Sequence, residues 1–282
     1  MENNIKTSEK ASVDNKSLNF IYGNFLTRTL VTAFMKRWIL KIFTRYYDSR
    51  MSKMHIRKFA KKRGIERTRK YKSFNDFFTR GEDFVEFQQD KNVLCSPVEA
   101  SLTIFDEDEK FFEIKGEKHN VTSLLGGDNL GFENPVFCMF HLSTSHCHRA
   151  YAFDDGKIIL DKEIRGEYNP TNPAVDLKGK NPLCTNFRVV HLFESENFGK
   201  VAVVQIGSMA ISSVVRYIKT EEQVSRGSMY GAFKLGGSAI VLLLERDKVD
   251  LTDATLNEVI NIQIGQSLNI KSKKQTDTEL VS

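Results

Sequence analysis

The chain has 282 residues, of which 40% are hydrophobic and 27% are charged. This length suits one large domain or two small ones with a buried core. The net charge of +5 is unevenly distributed, because residues 1–72 carry 19 Lys and Arg against 5 Asp and Glu, whereas residues 73–282 carry 22 against 31. The four cysteines form no CxxC pair, so neither a disulfide framework nor a zinc site is expected. The basic N-terminal region indicates a phosphate-bearing partner, either nucleic acid or anionic lipid.

This basic region divides into a polar tail, residues 1–17, and an aromatic-rich stretch, residues 18–72. The tail is expected to be disordered, and it lacks the apolar core of a secretory signal. Apolar side chains recur near helical spacing up to about residue 47, and a further basic helix is predicted from Met54 to Arg63, ending at Gly64. Because Lys and Arg interrupt the apolar runs before they reach roughly 18 residues, no transmembrane helix is expected.

Two interpretations of the stretch 18–72 remain open. It forms either a helix pair packed on the body or a surface that lies in a membrane interface, where each Lys or Arg near anionic headgroups contributes about 1 kcal/mol. Nucleic acid is the weaker candidate partner, because bulky aliphatic residues interrupt the basic ones and no nucleic-acid-binding motif occurs. We therefore expect a peripheral membrane protein on the cytoplasmic face, with an anionic phospholipid surface as its partner.

The body, residues 73–270, is predicted to consist mainly of short strands and is followed by a polar tail, residues 271–282. Ser73, with Asp76 three residues later, is typical of a helix N-terminus. A short helix is predicted over 121–125. Strands are predicted over 93–105 with a bend at a Ser-Pro pair, and over 111–116, 135–142, 189–193, 201–206, 211–218 and 240–244. Helices that come early and strands that come later indicate an α+β fold, with the N-terminal helices packed at one end of an antiparallel β-rich core.

Ser238 follows Gly236 and Gly237 and precedes the aliphatic run Ile240–Leu244, which is typical of a fully buried strand. The glycines allow positive φ angles and a close approach of another group to the Gly237 carbonyl. One interpretation is a tight turn before a strand. The other is that the Ser238 hydroxyl attacks the peptide bond in front of it.

Three histidines, His141, His146 and His148, fall within eight residues. In an alternating strand His146 and His148 would share a face, but no Asp or Glu close by in the sequence offers a third ligand, so no metal is expected. The favoured interpretation is an acid–base histidine beside Arg149, which would hold an anion. Glu99, after the predicted bend, is either an exposed strand residue or a carboxylate directed into a site.

Several segments, in this order along the chain, resemble those of the phosphatidylserine decarboxylase family. They are the phenylalanine-rich helix ending in arginine at 74–80, the Ser-Pro turn and acidic residue at 96–99, the Lys-Gly strand end at 115–116 with the helix after it, the His-Arg pair at 148–149, the Asn-Pro loop at 172–173, the Phe-Lys-x-Gly-Gly-Ser stretch at 233–238 and the segment 264–268. Each motif alone is weakly specific, but the ordered set covers most of the chain.

The resemblance implies an enzyme that processes itself. In such enzymes the serine hydroxyl attacks the preceding carbonyl, and an N-to-O acyl shift followed by β-elimination cuts the chain and leaves an N-terminal pyruvoyl group. The cut would fall between Gly237 and Ser238, giving chains 1–237 and 238–282 that the buried strand holds together. The pyruvoyl ketone, a built-in cofactor, would form a Schiff base with the substrate amine and act as an electron sink.

The resemblance also assigns roles to single residues. The Asp-His-Ser triad that the family uses for self-cleavage corresponds to Glu99, Tyr151 and Ser238. Glutamate is longer than aspartate by a methylene, and tyrosine, with an ordinary pKa of about 10, is a poor base at neutral pH. His146 is therefore a candidate substitute base. His148 corresponds to the family's proton donor in decarboxylation.

Three hypotheses result. The first is a phosphatidylserine decarboxylase that acts at a membrane surface through residues 73–270, with a pyruvoyl group derived from Ser238 and with Arg149 in its pocket. The second is a pyruvoyl-dependent decarboxylase of another amine. The third is an uncleaved, impaired family member that serves as a lipid-binding or scaffold protein. The resemblance also allows a homodimer, although no interface is readable from the sequence.

Overall fold

The computed structural model describes residues 37–273, apart from 83, 107–110, 115–116, 172–180, 209–213 and 235–237, and also residues 24, 26, 27 and 30. Several predictions fall outside the described residues. They concern the tail 1–17, most of the stretch 18–36, Lys115–Gly116, Asn172–Pro173, Gly236 and Gly237. The predicted α+β class is confirmed, because antiparallel strands dominate the body and most of the helical residues precede it.

Local sequence signals define the helix ends. From residue 37 onward the helices are α1 (Arg37–Asp48), a 3-10 helix (Arg50–Lys53), α2 (Met54–Arg63), α3 (Phe74–Thr79), α4 (Val121–Leu125), α5 (Pro182–Thr185) and a second 3-10 helix (Arg246–Lys248). Helix α2 ends as predicted, because Gly64 takes a left-handed φ of 69° and donates its N–H to the Ala60 carbonyl. Helix α3 begins at the predicted cap, where the Ser73 hydroxyl accepts a hydrogen bond from the Asp76 N–H at 3.1 Å.

Half of the strands in the described residues belong to one large sheet. The strands are β1 (Val93–Cys95), β2 (Ala100–Phe105), β3 (Phe111–Ile114), β4 (Glu117–Asn120), β5 (Val136–Leu142), β6 (Arg149–Tyr151), β7 (Gly156–Ile164), β8 (Arg188–Ser195), β9 (Gly199–Ile206), β10 (Val214–Arg216), β11 (Gln223–Val224), β12 (Met229–Phe233), β13 (Ser238–Leu244), β14 (Val249–Asp250), β15 (Ile260–Ile262) and β16 (Ser267–Ser272). The large sheet is antiparallel, in the order β11-β7-β8-β9-β13-β5-β2-β15. Smaller sheets have the orders β10-β12-β6, β1-β16-β14 and β3-β4.

Strand β13 lies inside the large sheet and is buried along its whole length. Strands β9 and β5 pair with its two edges. Its even-numbered residues from Ile240 to Leu244 contribute to one core cluster, and its odd-numbered residues from Ala239 to Leu243 contribute to another on the opposite face. A strand covered on both faces needs apolar side chains at every position, which explains the uninterrupted aliphatic run. Alternation places Ser238 on the same face as Ile240.

The small sheet β10-β12-β6 packs over this Ile240 face. Tyr230 and Phe233 of β12 and Ala150 of β6 are buried in the same core cluster as Ile240. Strands β6 and β12 pair through Arg149 and Ala232. The segment from residue 148 to 151 therefore lies in a layer that faces the large sheet on the side of Ser238.

The helices α1 to α3 form an aromatic-rich module. Phe74, Phe77 and Phe78 are buried in one cluster with Ile56 and Tyr71. Two polar contacts also join these helices: the Phe74 N–H donates to the Ser52 hydroxyl at 2.9 Å, and the Asn75 side-chain amide donates to Asp48 Oδ1 at 3.0 Å. Asp48 Oδ2 accepts a hydrogen bond at 2.8 Å from Nζ of Lys234, the residue that follows β12. The module thus contacts the chain just before residues 235–237.

The alternating strand considered for the three-histidine segment does not form. The segment between β5 and β6 is a turn and not an alternating strand, because the His146 N–H donates to the Ser143 carbonyl at 3.0 Å and no ladder passes through residues 143–148. His146 and His148 therefore do not share a strand face. In the predicted strand 211–218, β10 covers Val214–Arg216, and residues 211–213 lie outside the described part of the chain.

Candidate active site

Ser238 is the first residue of β13 and is fully buried. It lies opposite Leu142, the last residue of β5. Its hydroxyl oxygen has no hydrogen-bond partner among the described residues. A buried hydroxyl without a partner is costly in a fold and is often explained by a chemical role. Ser238 is thus a nucleophile candidate whose hydroxyl makes no competing hydrogen bond with the part of the chain that is described.

His148 lies at the same end of the sheet as Ser238. The turn that carries it follows directly from Leu142, and the Phe233 N–H, five positions before Ser238, donates to the His148 carbonyl at 2.9 Å. The imidazole is fully buried, and its ring centre lies 4.1 Å from that of Phe78. Its Nδ1 is 2.9 Å from the His146 carbonyl oxygen, which can only accept, so Nδ1 carries a proton. In the neutral ring Nε2 is therefore the basic nitrogen.

Glu99 is half-buried, and its carboxylate binds the turn between β5 and β6, residues 143–148, which is called the histidine turn below. Oε2 accepts a hydrogen bond from the Cys147 N–H at 2.8 Å. The Cys147 thiol in turn donates to the Thr79 and Arg80 carbonyls at 3.4 and 3.3 Å, and burial raises its pKa. Of the two interpretations for Glu99, this contact agrees with a carboxylate directed inward. The contact is made with the backbone immediately before His148.

His146 is held as a hydrogen-bond acceptor at one ring nitrogen. Its Nδ1 accepts from the Ser143 N–H at 3.1 Å, so its proton lies on Nε2 in the neutral form. Burial lowers the pKa of His146, the nearby Glu99 raises it, and the Arg80 guanidinium lowers it further. The imidazole is therefore biased toward the neutral form, but the lone pair that a base needs already accepts a backbone hydrogen bond. Its role as a substitute base stays a prediction.

Tyr151 and Arg149 project from β6 toward residues 82–87. The Tyr151 hydroxyl donates to the Glu82 carbonyl at 2.7 Å, and the ring packs in a cluster with Phe87. Arg149 Nη1 donates to the same carbonyl at 3.1 Å. Between them, Ala150 belongs to the cluster that contains Ile240. The structure therefore directs the hydroxyl of Tyr151 toward a backbone carbonyl outside the histidine turn.

Three features of this region were missed by the sequence analysis. Phe78 packs against the His148 ring, and the Arg80 guanidinium donates to the Ser145 carbonyl of the histidine turn. Both residues belong to the end of the phenylalanine-rich helix motif, so the sequence marked them as part of a motif. It did not show that they contact the histidine turn. The third is Gln205 in β9, whose buried amide has no partner among the described residues. A lone glutamine in an apolar run was the available signal.

A network of side-chain amides borders the Ser238 end of the sheet. The Asn186 amide donates to the carbonyls of Asn169 and Gly207, both at 2.8 Å. Gly207 directly follows Ile206, which lies opposite Ala239. These contacts hold the loop before residue 172 against the end of β9 and so close one side of the region around Ser238.

Among the residues that the structure describes, the site contains no side-chain set that indicates a metal. Within the described ranges, no group of three His, Cys, Asp or Glu residues is placed to hold a metal ion. The arrangement offers the buried Ser238 hydroxyl at the start of a central strand and the His148 imidazole in one fixed tautomer. The Glu99 carboxylate holds the histidine turn that carries this imidazole. Such groups suit nucleophilic and proton-transfer chemistry.

Comparison with known proteins gives a consistent result. A family model described as phosphatidylserine decarboxylase matches residues 74–269. The chain is 29% identical over 249 residues to a phosphatidylserine decarboxylase proenzyme of Ruminiclostridium cellulolyticum, covering 84% of this chain and 83% of that one. It is 29% identical over 248 residues to the proenzyme of Clostridium tetani, with 84% of each chain covered. For a proenzyme of Clostridium botulinum the identity is 27% over 274 residues, covering 91% and 93%.

Proposed function

This chain belongs to the phosphatidylserine decarboxylase family, and we therefore propose that it converts phosphatidylserine to phosphatidylethanolamine and carbon dioxide. We propose further that its electron sink is a pyruvoyl group made from Ser238 by self-cleavage. The observation that carries this proposal is the state of Ser238, which is fully buried at the first position of a central strand, with a hydroxyl that has no partner among the described residues. The second and third hypotheses, another amine substrate and an uncleaved scaffold, become outcomes of the test.

The self-cleavage step would use only atoms of this chain and one water. The Ser238 oxygen attacks the Gly237 carbonyl carbon, the peptide C–N bond breaks, and the acyl group moves from nitrogen to oxygen. Loss of the Ser238 Cα proton then expels the Gly237 carboxylate and leaves a dehydroalanine, which water converts to a pyruvoyl end with release of ammonia. The buried, unpartnered hydroxyl fits this step, because no other hydrogen bond with the described residues has to break first.

A pyruvoyl group supplies a ketone that condenses with an amine and withdraws electrons from the bond to the carboxylate. The chain itself supplies the proton that replaces carbon dioxide. His148 is suited to this, because the His146 carbonyl fixes the proton on Nδ1 and leaves Nε2 to exchange protons. The Phe78 ring, packed at a tilt against this imidazole, shields one side of it from water.

The helical module is proposed to attach the enzyme to an anionic phospholipid surface. Around the turn between α1 and α2, Ile42, Phe43, Met51 and Met54 are between 53% and 74% exposed. Basic residues alternate with them in the same helices: Lys41, Arg45, Arg50, Lys53, Arg57 and Lys58. Apolar side chains interspersed with cations are the pattern of an interfacial membrane surface. No helix in the described part of the chain is long and apolar enough to cross a bilayer.

Replacing Met51 and Met54 together by serine should weaken binding to vesicles of phosphatidylcholine and phosphatidylglycerol by about tenfold or more, since two apolar side chains would no longer enter the interface. Sedimentation with the vesicles measures this without turnover, because neither lipid is a substrate. Val259→Ser is the matched control, because Val259 is 74% exposed, as Met54 is, but lies outside the helical module. Equal binding of the double variant and the wild type would remove the membrane role from this surface.

The proposed function is tested by two measurements on the wild-type protein. Intact mass under denaturing conditions, with and without a carbonyl reagent, should give two fragments, with only the smaller one shifted by the reagent. Release of carbon dioxide from phosphatidylserine vesicles should accompany the cleavage. A cleaved protein that decarboxylates a free amino acid but not the lipid would support the second hypothesis. A single intact polypeptide would support the scaffold.

A further inference from the structure

Gln205 is a fully buried side chain whose amide has no partner in the part of the chain that the structure describes. It lies in β9, with Ile240 of β13 opposite on one side and Val189 of β8 opposite on the other. Its exposure is 0%, and neither Nε2 nor Oε1 has a hydrogen-bond partner within the described ranges. Buried polar atoms are almost always hydrogen-bonded, and an exception needs an explanation. A carboxamide that leaves both its donors and its acceptor unused in a core is a candidate for a group that binds a ligand.

The Gln205 side chain projects from the same face of the large sheet as Ser238. Ile240 and Ser238 lie on one face of β13, and Gln205 lies directly opposite Ile240, so its side chain projects from that face too. Its neighbours along β9, Val204 and Ile206, are buried in the cluster on the other face. Gln205 is therefore diagonal to Ser238 across one strand pair, a separation of about 7–8 Å between Cα atoms. A ligand attached at residue 238 would lie within reach of this amide.

The layer that covers the sheet leaves room for the amide. A Cβ atom placed on Gly231 of β12 would come within 2.9 Å of Gln205 Nε2. Gly231 does not take a positive φ, so the glycine provides space and not backbone freedom. Gly231 also lies opposite Ala150, two residues after His148, which places the amide on the side of the imidazole.

We propose that the Gln205 carboxamide binds the carboxylate of the serine headgroup and so distinguishes substrate from product. This inference rests on the proposed decarboxylase function. The amide offers two N–H donors without a charge, which suits the reaction, because the negative charge leaves the carboxylate as the carbon–carbon bond breaks. A cation there would stabilise the substrate more than the transition state and would slow the reaction. A neutral donor also orients the carboxylate, but it stabilises the substrate relative to the transition state less than a cation would.

The test compares Gln205→Met with wild type and with Gln223→Met, in which the glutamine is an exposed residue of the same sheet. Methionine has a similar length and no polar atoms that need partners. Self-cleavage is read by intact mass, and thermal stability by the unfolding midpoint. Affinities for dioctanoyl phosphatidylserine and dioctanoyl phosphatidylethanolamine are measured by the shift that each lipid causes in this midpoint. The wild-type, Gln205→Met and Gln223→Met proteins are also compared in kcat/KM.

In Gln205→Met, kcat/KM and affinity for the serine lipid should fall about tenfold to a hundredfold, the range for losing hydrogen bonds to a charged group. Affinity for the ethanolamine lipid, which lacks the carboxylate, should not change. Cleavage should be complete and the midpoint equal to or above that of wild type, because a buried amide with no partner among the described residues has been removed. Gln223→Met should match wild type throughout.

Two results would overturn the assignment. One is an unchanged preference for the serine lipid over the ethanolamine lipid in Gln205→Met. The other is a lowered midpoint with failed cleavage, which would make Gln205 a structural residue. If wild type itself proves uncleaved, the proposed function fails separately, and the two lipid affinities still decide whether Gln205 recognises a carboxylate.

Discussion

Replacing Ser238 by alanine is expected to leave one polypeptide of about 32 kDa that has no carbonyl-reactive end and no decarboxylase activity. Alanine removes the only atom of residue 238 that can accept the acyl group, so neither the cut nor the pyruvoyl group can form. The fold should persist, because the hydroxyl makes no hydrogen bond with the described residues that the variant would lose. A buried position of this kind accepts a methyl group at little cost or with a gain in stability. Cleavage and activity should therefore disappear together while the unfolding midpoint stays the same or rises.

Intact mass and release of carbon dioxide from phosphatidylserine vesicles measure this result on the same sample. Ser267→Ala is the matched control, because Ser267 lies in β16 of the same predicted fragment and, among the described residues, its hydroxyl forms hydrogen bonds only with Asn269. It should be cleaved and active like wild type. A cleaved or active Ser238→Ala protein would refute the proposed chemistry.

Replacing His148 by asparagine should lower decarboxylation by about 100-fold to 10,000-fold, the usual contribution of a positioned acid or base. The Asn side-chain amide can still donate to the His146 carbonyl in place of Nδ1, so the turn keeps that contact. It cannot exchange a proton as the imidazole does at Nε2. The variant should still cleave itself, since the family pattern assigns self-cleavage to other positions. Its smaller fragment should therefore react with a carbonyl reagent, although turnover is slow.

His141→Asn is the matched control, because His141 lies in β5 opposite Ala239, on the face of the sheet that is turned away from Ser238. It should keep the wild-type rate. If His148→Asn stays uncleaved, the imidazole acts in self-processing and not as proposed. Turnover within threefold of wild type would equally exclude His148 as the proton donor.

The parts of the fold that the sequence predicted are those determined by neighbouring residues. Helix α2 and its Gly64 end depend on a local backbone conformation, and the cap at Ser73 depends on a residue three positions away. The run Ile240–Leu244 was recognisable because only a strand covered on both faces is apolar at every position. In the site, Ser238 and His148 were identified through ordered motifs, and the structure brings both to one end of the sheet.

The remaining features depend on contacts between residues that are distant in sequence. The Arg80 guanidinium reaches a carbonyl 65 positions later, and the Glu99 carboxylate reaches an N–H 48 positions later. Neither contact leaves a periodic pattern in the sequence. The sequence did not place His146, because a short polar turn and a short strand look alike there and only pairing partners distinguish the two. Gln205 stood out in the sequence only as a lone glutamine in an apolar run, and its burial without a partner among the described residues became visible only in the fold.

The position of β13 has a consequence for how a cleaved protein would unfold. A fragment that begins at Ser238 would contain β13 to β16, of which β13 pairs with β5 and β9, β15 with β2 and β16 with β1 of the other fragment. Every one of these ladders would join two separate molecules. Refolding would then be second order, and the unfolding midpoint of the cleaved protein would rise with protein concentration. The Ser238→Ala chain would refold in a first-order reaction. Self-cleavage would therefore turn a chain that refolds reversibly into two fragments that, once unfolded and diluted, rarely reassemble.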